Sequence, residues 1–260
     1  MGKRKGVCRG SIADGERMMT QIDALGRPDV GRYGEGSWPA VLLNRMAWWV
    51  RRVHGQGKLL DLGCAEGFLL DTLGMGGIGL DMNPARLRLA ARKGIRVCLG
   101  DANILPFPDA CFDTVISMEM LEHVPEMGTV MDEVRRVLGR DGRWIVSVPS
   151  VTLKAREEMR RQGSPIYCDE REHYREFSGS SIPWFEHKFM AINELEKMLG
   201  QHGFELLKRE GLFYQLPDAW LPGGWLKKLM ETGIAHKICS HLPVIRNFPA
   251  WSILILRKCD

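Results

Sequence analysis

Short apolar runs alternate with segments of helical period through the middle of this chain. The runs lie at 58–62, 78–80, 95–99, 112–118 and 144–148, each of strand length and set off by glycines or polar turns. Between them, 66–73, 83–93 and 125–138 carry apolar residues three or four apart, with Val130, Val134, Val137 and Leu138 on one face of the last. A further helix precedes the series. It starts at Ser37-Trp38-Pro39, presents Val41, Leu42, Met46, Trp49, Val50 and Val53 at helical spacing, and stops at Gly55-Gln56-Gly57. Five strands alternating with helices predict a mostly parallel sheet with right-handed crossovers.

The rhythm breaks at 151–190, a charged stretch with Pro165 and Pro183 and no clean period, which is expected to be an insertion or lid after the fifth strand. Helical spacing resumes at Ile192, Leu195, Met198 and Leu199, and Gly203 closes that helix before a sixth strand at 204–207. Residues 212–250 are aromatic and Pro-rich, with a partial stripe of Leu226, Leu229, Met230, Ile234 and Ile238. A seventh strand follows at 252–256. Residues 1–36 lack a strong period and are expected to form a leader with a short helix near 13–24. The domain then covers 37–260, with insertions at about 151–190 and 212–250.

Composition narrows the classes only slightly. The 260 residues are 45% hydrophobic and 26% charged, with a net charge of +4, which is ordinary for a globular chain and too mildly basic to argue for nucleic acid. Seven scattered cysteines without a Cys-x-x-Cys pair give no disulfide framework or zinc cluster and suit a reducing, cytoplasmic setting. Cys64, Cys98 and Cys111 lie in apolar stretches, as small buried hydrophobes do. No apolar segment approaches the ~18 residues that span a bilayer. Trp220 and Trp225 beside Lys227 and Lys228 would suit either core packing or peripheral contact with a membrane surface.

The chemistry concentrates in Asp61-Leu62-Gly63-Cys64-Ala65-Glu66-Gly67. A buried strand runs there into a Gly-rich turn and a helix N-terminus, an arrangement that accepts a nucleotide or a carboxylate. Asp81 ends the second strand, where an acid can take hydrogen bonds from both ribose hydroxyls, or cap the next helix if Asn83 does not. Asp101, in Gly100-Asp101-Ala102, is placed to meet an adenine amino group or simply to make a turn.

These segments resemble the class I S-adenosylmethionine-dependent methyltransferases, in their small-molecule, type 11-like branch. The likeness covers about 40–150, 187–210 and 251–258. It implies a Rossmann-like α/β fold with a seven-stranded, mostly parallel sheet, helices on both faces, an antiparallel last strand, and helical insertions after strands five and six. Asp61, Gly63 and Gly67 match the first motif, and Cys64 and Ala65 complete its loop, with Ala65 where the family usually has glycine. Asp81 matches the ribose-binding acid, Met82 its adenine-stacking neighbour, and Asp101 with Ala102 the adenine-edge pair. Met118-Glu119-Met120-Leu121-Glu122-His123-Val124 matches the segment facing donor and acceptor.

An acid two residues before the first glycine would repel a pyrophosphate, and the dinucleotide fingerprint Gly-x-Gly-x-x-Gly is missing, which sets aside a nicotinamide oxidoreductase. A donor-binding partner subunit without catalysis is the other alternative. His123 is the expected base if the acceptor must lose a proton, with Glu119 on the same helix face, and His187 is the second candidate. No Asp/Asn-Pro-Pro-Tyr/Phe segment, Pro-Cys pair or RNA-binding module is present, so the resemblance favours a small-molecule or lipid-like acceptor.

Overall fold

The apolar runs become strands because helices cover both faces of the sheet they form, so the central strands need no polar side. In the computed structural model, which describes residues 38–151, 153–164, 166–169, 187–214 and 249–259, the order along the chain is α1 (Trp38–Val53), β1 (Leu59–Leu62), α2 (Phe68–Leu73), β2 (Ile78–Asp81), α3 (Pro84–Arg92), β3 (Arg96–Leu99) and β4 (Phe112–Met118). A 3-10 turn (Leu121–His123) leads to α4 (Met127–Val137), β5 (Leu138–Pro149), α5 (Leu153–Gln162), β6 (Ile166–Asp169), β7 (His187–Met190), α6 (Ile192–Gln201), β8 (Phe204–Tyr214) and β9 (Pro249–Lys258).

The main sheet has seven strands in the order β3-β2-β1-β4-β5-β9-β8. Strands β1 to β5 run parallel, and β9 runs antiparallel between β5 and β8. The expected Rossmann-like sheet is therefore present. One layer packs Leu42, Met46 and Val50 of α1 and Leu69, Leu70 and Leu73 of α2 on Ile116, Ile145, Ile253 and Ile255. The opposite layer packs Val130, Val134 and Val137 of α4 and Leu195 and Leu199 of α6 on Val115, Trp144, Val146, Leu254 and Leu256. Burying each such side chain stabilises the fold by about 1.5–3 kcal/mol. Trp144 is wholly buried and donates its Nε1–H to Ser117 Oγ at 3.0 Å, so its polar edge is satisfied inside the core.

Several details depart from the expected pattern. Strands β8 and β9 are longer than their apolar cores, because backbone pairing carries the ladder into polar residues from Glu205–Arg257 out to Tyr214–Pro249. Residues 139–142 belong to β5, yet its register jumps from Phe112–Leu138 to Thr114–Arg143, so they bulge opposite Asp113 alone. The first insertion is not purely helical: α5 is followed by a two-stranded β6–β7 sheet whose partners, Ile166–Met190 to Asp169–His187, are far apart in sequence. Cys64 is buried as expected, while Cys98 and Cys111 are only partly so. The leader, the 13–24 helix and the amphipathic stripe from Trp220 to Ile238 lie outside the described residues. Among the described residues no helix is long and apolar enough to cross a membrane.

Candidate functional site

The C-terminal ends of β1 and β2 carry the first half of the site. The chain leaves β1 through Gly63 (φ 75°), Ala65 (φ 48°) and Gly67 (φ 73°), three left-handed residues that fold the turn back on β2. The N–H groups of Gly63 and Cys64 donate to Leu80 O at 2.8 and 3.0 Å. A Cβ on Gly63 would lie 2.5 Å from Met120 Cγ, so the turn touches the segment after β4 and glycine is required. Ala65 adopts the glycine-like conformation, at a cost of about 1–2 kcal/mol.

Asp81 stands at the mouth of this turn. Its Oδ2 accepts from Ala65 N at 2.9 Å and its Oδ1 from Asn83 N at 2.8 Å. Capping of α3 falls to Asn83, whose Oδ1 accepts from Ala85 N and Arg86 N. Arg86 also reaches Glu66 at 3.5 Å, bracing the turn against α3.

Asp61 lies 2% exposed within β1, and its Oδ2 has no hydrogen-bond partner among the described residues. Burial, and then the negative charge of Asp81, push its carboxyl up to about 8. An orphaned buried acid beside a second acid, at the lip of a turn whose glycines admit no side chain, is an arrangement that a cationic ligand would complete.

Beyond β3, Asp101 makes a turn: its Oδ1 accepts from the backbone N and the Nδ2 of Asn103 at 2.9 and 2.8 Å. Ala102 packs on the core beside it. Around this edge Met82, Leu99 and Ile104 are 49%, 58% and 77% exposed, an unusual display of apolar surface at the ends of adjacent strands.

The second half of the site follows β4. Met118 ends the strand, and Glu119 takes a left-handed conformation (φ 52°) that stops any helix from starting there. The expected helix face shared by Glu119 and His123 is therefore not formed. Only the turn Leu121–His123 is helical, and the carboxylate near His123 is Glu122, 3.9 Å from Oε1 to Nε2. Glu119 instead faces the sheet. Ser147 Oγ donates to its Oε1 at 2.8 Å and Trp251 Nε1 to its Oε2 at 2.6 Å. Burial pushes Glu119 up to about 7 against the pull of those two hydrogen bonds.

Glu122 was not legible as a site residue. It is 2% exposed, its Oε2 has no hydrogen-bond partner among the described residues, and burial with Glu119 beside it pushes it well above the usual carboxylate range. The available signal was an acid embedded in the apolar run Met120-Leu121-Glu122-His123-Val124. His187 opens β7 opposite Asp169, and its side chain lies outside the described residues. Its neighbour Lys188 donates to the carbonyls of Val124 and Pro125 at 3.0 and 2.5 Å, fastening β7 to the turn that carries His123.

Residues 60–146 match a family described as a methyltransferase domain. The chain is 31% identical over 166 residues to a demethylmenaquinone methyltransferase of Lactobacillus johnsonii, covering 56% of this chain and 67% of that protein. It is 32% identical over 122 residues to a ubiquinone biosynthesis O-methyltransferase of Xylella fastidiosa, covering 43% of this chain and 50% of that protein. In three dimensions it is similar to an S-adenosylmethionine-dependent methyltransferase of Mesorhizobium loti, with a TM-score of 0.57 at 16% identity over 86% of this chain and 99% of the other. That last likeness concerns the fold alone.

Proposed function

This chain belongs to the class I S-adenosylmethionine-dependent methyltransferases of the type 11 branch, and on that premise we propose that it methylates a small-molecule or lipid-like acceptor held between the turn after β1 and the segment after β4. The cofactor is S-adenosylmethionine, which supplies a methyl group already activated on a sulfonium sulfur. The protein's work is then chiefly alignment and exclusion of water.

In this reading Asp81 receives the ribose hydroxyls. Its carboxylate is held in place by two backbone N–H groups, and each oxygen retains accepting capacity. Asp61 answers the cationic amino-acid end, and a positive charge beside it would favour its ionised form. The backbone of Gly63, Cys64, Ala65 and Gly67 forms the floor. Met82 lies along one face of the adenine, with Asp101 and Ala102 at its edge. Met118 and Glu119 border the methyl group, and Glu119 acts there as a positioning residue through Ser147 and Trp251. His123 takes the acceptor's proton where the acceptor has one to lose, and His187 is the alternative from β7. The quinone-pathway names of two relatives support an acceptor with an apolar body.

The observation that carries the reading is the bond from Ala65 N to Asp81 Oδ2, which sets the ribose-type acid against the Gly-rich turn. Calorimetry with S-adenosylmethionine tests it. Asp81→Ala should weaken donor binding by about 1–3 kcal/mol. An unchanged dissociation constant in a folded variant removes the assignment of Asp81. Labelled S-adenosylmethionine offered with fractionated metabolites and lipids then identifies the acceptor.

A further inference from the structure

The loop from β3 to β4 has few ways to bond to itself. Pro106 and Pro108 carry no N–H, and the carbonyls of Leu105 and Phe107 just before them need donors from elsewhere. One side chain of α4 supplies them. Arg136 Nη2 donates to Leu105 O at 2.9 Å, and Nη1 donates to Phe107 O and to Asp109 Oδ1, each at 2.8 Å. Its Nε and the second N–H of Nη2 go to the two carboxyl oxygens of Glu133 at 2.7 and 2.8 Å, so every N–H of the guanidinium is used. Glu133 Oε2 also accepts from Leu105 N at 2.6 Å. One ion pair therefore grips Leu105 at both its N–H and its carbonyl.

That grip continues to Asp101. Ile104 N donates to Asp101 O at 3.1 Å, and Asp101 Oδ1 accepts from the backbone N and the Nδ2 of Asn103. At the other end of the loop, Gly100 N donates to Asp81 O at 3.1 Å. The segment 100–105 is thus fixed to β2 at one end and to α4 at the other. Asp101 itself is exposed, so its direction depends on that segment and not on packing.

We infer that Arg136 and Glu133 are positioning residues for adenine recognition: through Leu105 they hold the Asp101 carboxylate where it distinguishes a 6-amino purine from a 6-oxo one. The inference rests on the assignment of Asp101 to the adenine edge, and adds to it two residues on α4 that touch no ligand. An ion pair one helical turn apart contributes little to stability by itself, and here its spare hydrogen bonds all go to the loop. The planar fork of arginine is what reaches Leu105, Phe107, Asp109 and Glu133 together; a lysine ammonium cannot match that geometry.

Calorimetry with S-adenosylhomocysteine and S-inosylhomocysteine, which differ at the purine 6-position, tests this. Wild type should prefer the adenosyl ligand by about tenfold, the effect of one hydrogen bond to a charged acceptor. Arg136→Met and Arg136→Lys should each reduce that ratio to about twofold or less. Glu133→Gln, which keeps an acceptor for Leu105 N, should fall between them and wild type. Loss of folded protein lowers both apparent affinities by the same factor, so a merely structural role leaves the ratio unmoved. Asp101→Ala should remove the preference, and adding Arg136→Met to it should change the ratio no further. A ratio that survives both Arg136 variants, or its absence from a wild type that binds S-adenosylhomocysteine, overturns the inference and leaves the donor site standing. If wild type does not bind S-adenosylhomocysteine, the donor-site reading falls and this inference falls with it.

Discussion

The two halves of the site are built by opposite means. At the β1–β2 end the acid that matters is held by the main chain: Asp81 takes N–H groups from Ala65 and Asn83, and the turn is shaped by three left-handed residues within five positions. At the β4–β5 end one acid is held by side chains and, among the described residues, the other only by its own backbone N–H. Ser147 and Trp251 hold Glu119, and Glu122 keeps an unpaired oxygen. A backbone scaffold cannot be altered one atom at a time, which suits a ligand that never changes. A side-chain scaffold can be re-lined residue by residue, which suits an acceptor that differs among relatives.

The harshest way to break this contrast is to disturb the backbone scaffold. Gly67 sits at φ 73°, and a Cβ there would meet Ala90 Cβ at 3.0 Å and press into Ile95. Gly67→Val combines left-handed strain with overpacking and should lower the unfolding free energy by about 2–4 kcal/mol in urea titration. A variant as stable as wild type would mean that the turn yields easily and that the β1–β2 end is no more rigid than its counterpart.

The buried acids sharpen the contrast through pH. Asp61 is raised to about 8 by burial and by Asp81, whereas an unfolded aspartate titrates near ~3.9. Between those values the folded chain holds a proton that the unfolded chain has released, so this group's contribution favours folding at the acid end and is lost as pH rises toward 8. The slope reaches at most ~1.4 kcal/mol per pH unit. Glu119, raised to about 7, acts in the same direction over a window that closes earlier. Denaturant midpoints across pH 4–9 for the ligand-free protein, Asp61→Asn and Glu119→Gln separate the two. The wild-type-minus-Asn difference should keep changing up to about pH 8, and the wild-type-minus-Gln difference should level off near 7. Coincident windows would show that the two ends feel the same electrostatic environment.

The same division explains what the sequence disclosed. The strand β4, the helix α4 within two residues at either end, the place of Asp81 at the end of β2 and the cap at Asn83 follow from local patterns: an apolar run, a helical period, an acid at a strand end and an Asn-Pro start. Asp61, Asp81 and Asn83 lie within 23 positions, so turn, strand and cap chemistry suffice to relate them. The helix expected to join Glu119 to His123 failed because tertiary hydrogen bonds to Ser147 and Trp251 hold Glu119 in a left-handed backbone that local propensity disfavours. Trp251 is 132 positions away, and Lys188 meets Val124 across 64. The β6–β7 pairing likewise joins 166–169 to 187–190 with no turn signal of its own. Contacts of that range leave no local period to read.

The smallest effect tests the main-chain claim most directly. Ala65 takes φ 48° while its N–H serves Asp81, so the turn tolerates strain in order to keep that hydrogen bond. Ala65→Gly removes about 1–2 kcal/mol of left-handed strain from the folded state and adds about 0.4–1 kcal/mol of freedom to the unfolded chain. The net should be a gain near 0.5 kcal/mol in urea titration, with the Asp81 contact intact because the methyl group takes no part in it. A comparable loss would mean that the Ala65 methyl packs usefully, so that side chains as well as backbone shape the β1–β2 end. The contrast between the two halves would then be one of degree. A gain would show that the backbone path alone fixes the turn, and that the residue at 65 matters only through the φ it must adopt.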